Sequence, residues 1–574
     1  MLDLKLTGGL VVDGGGAAGT IAEVGVADGR VVAIGPVGSL DAASETVDCR
    51  DLVVAPGFVD VHTHYDAQAF WDTTLSPSPL HGVTTVFAGN CGFTLAPITT
   101  DPRDGDYLMR MLSRVEGMPL ESLLAGVPLD WTSTAEFLDR LDGTLMPNAG
   151  FLVGHSALRR AVMHEDAAAR AATADEIAAM CALLHDGLAA GGMGFSSTSS
   201  TSHNDHEGNP VPSRWATRDE LLALCSVVRE HPGTTLEFIP QVGKLTEESM
   251  RLMGAMSAAA DRPINWNFIQ VYGVNRELVD HQLTGADVGA EEGGRVVALT
   301  LPDSFRMRLN MASGFVLDIL PGWERLMALP AAEKKAMLAD PAGRARMDEI
   351  AQAAPDPLRS LANWGAYLLV ETHTDEYRRF IGRTFADIAA ELGRTPWDTL
   401  ADMVVADDLR TVFMNADRGQ DDASWARRVE VWRDGRALPG ASDAGAHLDM
   451  IDSFAASTQM LAEAVRKRNL LPIEEAIHYL TGAPAALYGL HDRGRLAVGA
   501  CADLVVIDPA RIGPTPFYTR YDMPAGAGRI YGEAEGIEHV FVNGTEVVRA
   551  NEFTDARPGR ILRSGRDTHT VTVR

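Results

Sequence analysis

The sequence predicts an α/β protein: a (β/α)8 TIM barrel with a small β-sandwich domain built from both chain ends. Three observations lead there. Between about residue 56 and residue 443, short apolar strands alternate with Ala/Leu-rich helical stretches, the pattern of parallel βα units. The two ends instead read as strands punctuated by glycine, and neither end has enough of them to bury a core alone. Finally, 574 residues exceed one ordinary core, so an elaborated barrel with a second unit is expected.

The elements follow in order. Residues 1–54 carry strands at Leu4–Asp13, Ile21–Val26 and Arg30–Ile34. Barrel strands are expected near 56–61, 83–88, 150–154, 192–196, 234–239, 263–269 and 295–300, with the eighth ending at Asp443. Helices such as Ala174–Leu184 and Arg218–Leu224 lie between them. The barrel domain spans 55–485, and its mostly helical stretch at about 303–435 is too long for a connection, so it reads as an insertion and candidate lid. Residues 486–574 return to β structure, with a strand over Gly499–Asp508 and a hairpin turning at Asn543-Gly544.

A net charge of −28 disfavours nucleic acid and anionic membrane surfaces as partners. No stretch of about 18 apolar residues is free of charge, so no membrane span is expected. No signal peptide is evident, and five scattered cysteines point to a reducing, cytoplasmic location rather than a disulfide framework. Homo-oligomerisation stays open.

Chemistry in such a barrel collects at the C-terminal strand ends. His62 and His64 end the first strand, and positions i and i+2 of a strand share a face, so both imidazoles aim into one space. Cys91, in Gly89-Asn-Cys-Gly-Phe93, follows the second strand; His155, in Gly154-His-Ser-Ala-Leu-Arg159, follows the third; Asp443 ends the eighth. Two imidazoles, a thiolate and a carboxylate form a borderline-soft set for which zinc is the natural ion. Each member has a bland alternative: an exposed histidine pair, a small buried cysteine, a helix-capping aspartate, a core histidine. Joint placement at the strand ends lifts the set above its members. His203 and His206 sit in a polar loop and read as solvated, and His447 reads as a neighbour of Asp443 rather than part of the set.

Val54–His64, Gly82–Val86, Gly89–Phe93, Ser442–Ala444 and Ala502–Pro509 resemble the amidohydrolase superfamily. Gly154–Arg159 and Leu480–Gly489 are similar to its N-acyl-D-amino-acid deacylase (D-aminoacylase) group, and the likeness covers nearly the whole chain. It implies a metal-dependent barrel with a flanking β-sandwich that hydrolyses an amide bond. It also implies His62, His64 and the unusual thiolate Cys91 as ligands, with Asp443 as ligand and proton shuttle.

The departures narrow this expectation. The family places histidines at the ends of strands five and six, where this chain has Phe238 and Phe268 with Glu237 and Asn267 beside them. The five lysines, Lys5, Lys244, Lys334, Lys335 and Lys467, leave only Lys244 near the strand ends to serve as a metal-bridging carbamate. One zinc ion is therefore expected rather than two, with Glu237 a candidate oxygen ligand. The expected reaction is hydrolysis of a small-molecule amide, an N-acylated amino acid, with His155 and Arg159 binding substrate and Arg159 or another barrel-mouth arginine anchoring its carboxylate. A cyclic amide, lactam or ester substrate, favoured by the phenylalanines, and a catalytically inactive ligand-binding barrel are the alternatives.

Overall fold

The computed structural model describes residues 1–573 apart from 305, 315, 357 and 416–418. Nine strands from both ends of the chain form one hydrogen-bonded sheet, in which Val53–Pro56 pairs antiparallel with Leu504–Ile507. The Asn543-Gly544 turn joins Ile537–Val542 to Thr545–Arg549, both turn residues holding positive φ (48° and 77°) as a tight hairpin requires. Val24, Leu504, Val506 and Phe541 belong to an apolar cluster within this sheet.

The chain leaves the sheet at Gly57, whose N–H donates to Asp503 O at 2.8 Å. A Cβ here would lie 2.2 Å from Thr84, so only glycine lets the two strands approach. The parallel strands then run β1 (Phe58–Asp60), β2 (Val83–Ala88), β3 in two pieces (Asn148–Phe151 and Val153–Gly154), β4 (Gly194–Thr198), β5 (Thr235–Ile239), β6 (Ile264–Ile269), β7 (Val296–Thr300) and β8 (Ala437–Pro439). One sheet has the order β1-β2-β3 and a second the order β8-β7-β6-β5-β4-β3, divided at Leu152. At the other end Thr63 bridges Ala444 in parallel, Asp443 N donates to His62 O at 3.1 Å, and His64 N donates to Ala444 O at 2.8 Å. These bonds tie the segments that follow β1 and β8 to one another.

Helices cover the outward faces of the strands. Leu236 and Phe238 on β5 pack with Leu224, Met253 and Trp266 in one buried cluster. The helix Arg218–Arg229 is capped by Thr217, whose hydroxyl accepts from Glu220 N, and such caps set where the helices begin. The stretch from 303 to 435 has its own apolar cluster around Trp323, Trp364, Trp397 and Phe413. Beside the expected helices, Arg308–Leu309, Val412–Asn415 and Tyr367–Glu371 form a three-stranded antiparallel sheet. The stretch reaches the strand ends through Arg114–Asp318 (3.0 Å) and Arg306–Asp452 (2.9 Å). Its last helix, Asp422–Asp434, leads directly into β8.

Candidate metal centre

His62 and His64 extend beyond β1 with one residue between them, and both side chains are buried. Their rings meet edge to face, with centroids 5.3 Å apart. Cys91 follows β2 in a left-handed backbone conformation (φ 59°), flanked by Gly89 and Gly92, which also hold positive φ. That turn brings Sγ to 3.6 Å from His62 Nε2 and 3.8 Å from His64 Nε2. Asp443, also left-handed (φ 52°), places Oδ1 3.1 Å from His62 Nε2 and 3.6 Å from His64 Nε2. Strained backbone at two of four converging residues is the pattern of positions held for function by the surrounding structure.

Carboxylates and an amide surround this set. Glu237 on β5 accepts from Cys91 N at 2.7 Å, which pins the cysteine turn, and its other oxygen lies 4.0 Å from His62 Nδ1. Glu116 lies 3.4 Å from His64 Nδ1. Asn267 on β6 donates to Asp443 Oδ1 at 3.3 Å and lies 3.2 Å from His62 Nε2. Asp66 accepts from Gly89 N at 3.0 Å, and Asp60 accepts from the Ser442 hydroxyl at 2.6 Å.

Burial sets the protonation of most of these groups. It pushes Glu237 up to about 8, Glu116 and Asp60 up to about 7, and Asp66 up to about 6. Burial and the surrounding carboxylates hold the Cys91 thiol well above its usual range. Burial also acts against the Asp443 carboxylate, but hydrogen bonds with His62 and His64 outweigh it and keep that group far below the usual range. His62 is lowered by burial, whereas His64 is raised to about 9 because Glu116 and Asp443 overcome the same burial.

The residues fit a metal ion. With metal–nitrogen bonds of about 2.0 Å and metal–sulfur bonds of about 2.3 Å, a tetrahedron has edges of about 3.3–3.6 Å; the donor pairs measured here run from 3.1 to 3.8 Å. The ligand atoms of His62, His64 and Cys91 all lie within 4.8 Å of one another. Neither imidazole Nδ1 has a hydrogen-bond partner among the described residues, and each faces a carboxylate on the side away from the shared space, as metal-bound histidines commonly do. Five buried carboxylates and a thiol outnumber the two imidazoles, and a divalent cation would offset that excess of negative charge.

A cavity of about 370 Å3 opens over the set, bounded by His64, Cys91, Glu116, His203, Asn267 and Asp443, with Tyr272 farther along its wall. Several sequence expectations change here. His155 and Arg159 do not line the cavity. Both are fully buried; His155 bonds Ser197 Oγ (2.8 Å) and Glu220 Oε1 (2.9 Å), and Arg159 bonds the same glutamate oxygen at 2.5 Å. Neutralised by Glu220, Arg159 is not available to anchor a substrate carboxylate, and the expected substrate-binding role of the pair is corrected. Phe238 faces the helices, and Glu237 holds the inward position assigned to it. Phe268 does line the cavity. His203 is also at the cavity wall, bonded to Thr198 Oγ1 (2.9 Å) and set against Phe93, rather than solvated. Glu116 was not foreseen: it follows the helix Pro102–Val115, far from any motif.

The amidohydrolase family model matches residues 45–548. The chain belongs to the amidohydrolase family. It is a metal-dependent amide hydrolase. It is 29% identical to a D-aminoacylase of Alcaligenes xylosoxydans xylosoxydans over 98% of this chain and 97% of that one. An N-acyl-D-glutamate deacylase of the same organism is 31% identical, over 98% and 96%. Among solved structures, a D-aminoacylase described by its binuclear metal centre, with one-metal activation and second-metal attenuation, matches with a TM-score of 0.63 at 25% identity, covering 98% of this chain and all of that one.

Proposed function

We propose that this amidohydrolase removes the acyl group from an N-acylated amino acid, using one zinc ion held by His62, His64, Cys91 and Asp443. The observation that carries the reading is the gathering of the His62, His64 and Cys91 ligand atoms within 4.8 Å of one another, with Asp443 Oδ1 3.1 and 3.6 Å from the two Nε2 atoms. The parallel strands β1–β8 support a (β/α)8 barrel, with 1–54 and 486–574 as its flanking β-sandwich and the 303–435 stretch as insertion. The five free cysteines suit a cytoplasmic setting.

A bound divalent cation supplies Lewis acidity toward the amide carbonyl and lowers the pKa of water. The chain supplies the rest. Asp443, kept ionised by its imidazole partners, takes the proton of the attacking water and returns it to the leaving nitrogen. Asn267 orients the Asp443 carboxylate through its 3.3 Å hydrogen bond. Glu237 fixes the Cys91 turn, and Glu116 faces the distal nitrogen of His64. The cavity wall carries Gln241, Gln270, Asn275 and Gln282, a polar lining suited to an acyl amino acid rather than to the apolar cyclic amide that the phenylalanines suggested.

The test is metal per chain on protein purified without chelator, together with turnover of N-acyl-D- and N-acyl-L-amino acids with and without EDTA. Stoichiometric metal and EDTA-sensitive release of the amino acid are expected. A folded His62→Ala variant with unchanged metal content and turnover would refute the assignment.

A further inference from the structure

The Gly154–Arg159 motif stands outside the cavity lining, yet its polar groups form a buried relay. His155 Nδ1 lies 2.8 Å from Ser197 Oγ, and its Nε2 lies 2.9 Å from Glu220 Oε1. Arg159 donates to that same oxygen and to Arg170 O at 2.7 Å. His155, Arg159, Ser197 and Glu220 are all fully buried. Burying an ion pair often costs more than placing apolar side chains of the same volume there, so stability alone does not account for the relay.

Its position does. Gly154, Ser196 and Glu237 are register partners on β3, β4 and β5, side by side in one row across the sheet. The turn that carries Cys91 rests on this row. A Cβ on Gly154 would lie 2.8 Å from the carbonyl carbon and oxygen of Gly92, so glycine there gives the turn its room. The Ser196 hydroxyl donates to Gly89 O and accepts from Gly92 N at 3.1 Å, clasping the residues on both sides of Asn90-Cys91. Glu237 accepts from Cys91 N at 2.7 Å. Gly89, Cys91 and Gly92 all hold positive φ (80°, 59° and 77°), and at Cys91 the surroundings must hold that conformation against the steric cost of its Cβ. Ser197, the next residue along β4 from Ser196, is the one that His155 binds.

We propose that Ser196 is the positioning residue for the Cys91 thiolate, and that the His155–Glu220–Arg159 relay serves it by locking β4 in register. A one-residue slip of β4 would turn the Ser196 hydroxyl to the opposite face and release Gly89 and Gly92 together. Through Ser197, β4 is tied to the helices His155–Met163 and Arg218–Arg229, and the slip would break that buried bond. The proposal rests on the reading of Cys91 as a metal ligand, and its test separates the two.

The probe is cobalt(II) loaded into chelator-treated protein. It is read by the near-ultraviolet thiolate-to-cobalt charge-transfer band and by affinity in competition with a chromogenic chelator. Wild type should show the band and Cys91→Ala should lack it. Ser196→Ala should weaken the band and lower cobalt affinity at least about tenfold, the scale of a partner behind a metal ligand. Ser197→Ala, which breaks only the bond to His155, should act the same way to a smaller extent. Ser156→Ala removes another fully buried serine hydroxyl, one bonded to Ser213 Oγ at 3.2 Å, and should match wild type in both readouts. Band and affinity unchanged in Ser196→Ala, or equal losses in Ser196→Ala and Ser156→Ala, overturn the positioning role while leaving Cys91 a ligand. Readouts unchanged in Ser197→Ala overturn the part given to the relay. A wild type without the band, or Cys91→Ala that keeps it, overturns Cys91 as a ligand and the proposal with it.

Discussion

Asp60 accepts a 2.6 Å hydrogen bond from the Ser442 hydroxyl, joining the strand that carries the histidine pair to the segment that carries Asp443. The same serine oxygen accepts from Ala444 N, and Asp60 also accepts from His62 N. Two ligand-bearing backbones are thus set by one buried carboxylate. Ser442→Ala should leave the histidines in place but loosen Asp443. Partners behind metal ligands are commonly worth about 10- to 100-fold in affinity or activity, and a fall of that size in kcat is expected. Steady-state kinetics with metal analysis checks it; unchanged kcat would remove the tie from the catalytic account.

Cys91 makes a sharper case. Its thiol is held protonated by burial and nearby carboxylates, and a cation in the shared space reverses that balance. Cys91→Ala should therefore lower metal affinity by on the order of 100-fold or more, beyond the usual effect of a supporting residue. Competition with a chromogenic chelator measures the change. The metal should also stabilise the fold: at a free concentration about 1,000 times Kd, binding adds about 4 kcal/mol. EDTA should lower the Tm of wild type markedly and that of Cys91→Ala little.

Much of this centre was legible because strand geometry is regular. A two-residue period put His62 and His64 on one face, and the ends of β2 and β8 put Cys91 and Asp443 beside them. The same regularity explains the error at β5. Shifting the inward position by one residue exchanges faces, so assigning Phe238 rather than Glu237 inverted that strand, although Leu236 and Phe238 flanking a lone acid carried the right signal. Glu116 and His203 were illegible for another reason: each reaches the cavity from a loop whose course depends on tertiary packing. Arg159 failed because nothing local says which arginine is neutralised; its partner Glu220 lies 61 residues away.

His81, buried within the β1–β2 connection, should contribute to acid sensitivity. Its Nε2 donates to Gly532 O at 3.1 Å, and Nδ1 lies 2.7 Å from the Thr458 hydroxyl. Burial lowers its pKa from 6.5 to about 4, against the opposing pull of the Gly532 carbonyl. The unfolded chain therefore binds a proton that the folded chain refuses between those values, and stability falls as pH drops from about 6.5 to about 4. The full shift corresponds to on the order of 3 kcal/mol. Thermal melts from pH 7 to pH 4 should show wild type losing more stability than His81→Gln; parallel curves would assign the acid sensitivity to other groups.

The junction between the nine-stranded sheet and the parallel strands turns on Arg493 and Asp503. The two are ion-paired and almost fully buried. Asp503 also accepts from Asn148 Nδ2 at the start of β3 and from Asn543 N in the hairpin turn, and Arg493 donates to Asn543 Oδ1. One carboxylate therefore serves three chain segments. Removing the arginine leaves that charge buried without its partner, which typically costs about 3–5 kcal/mol. Replacing both by apolar residues removes the unpaired charge but leaves Asn148 and Asn543 without their acceptor. Arg493→Met should accordingly be strongly destabilised, and Arg493→Met/Asp503→Leu should recover part of the loss. If the double variant is no more stable than the single one, the cost lies in the lost asparagine bonds rather than in the buried charge.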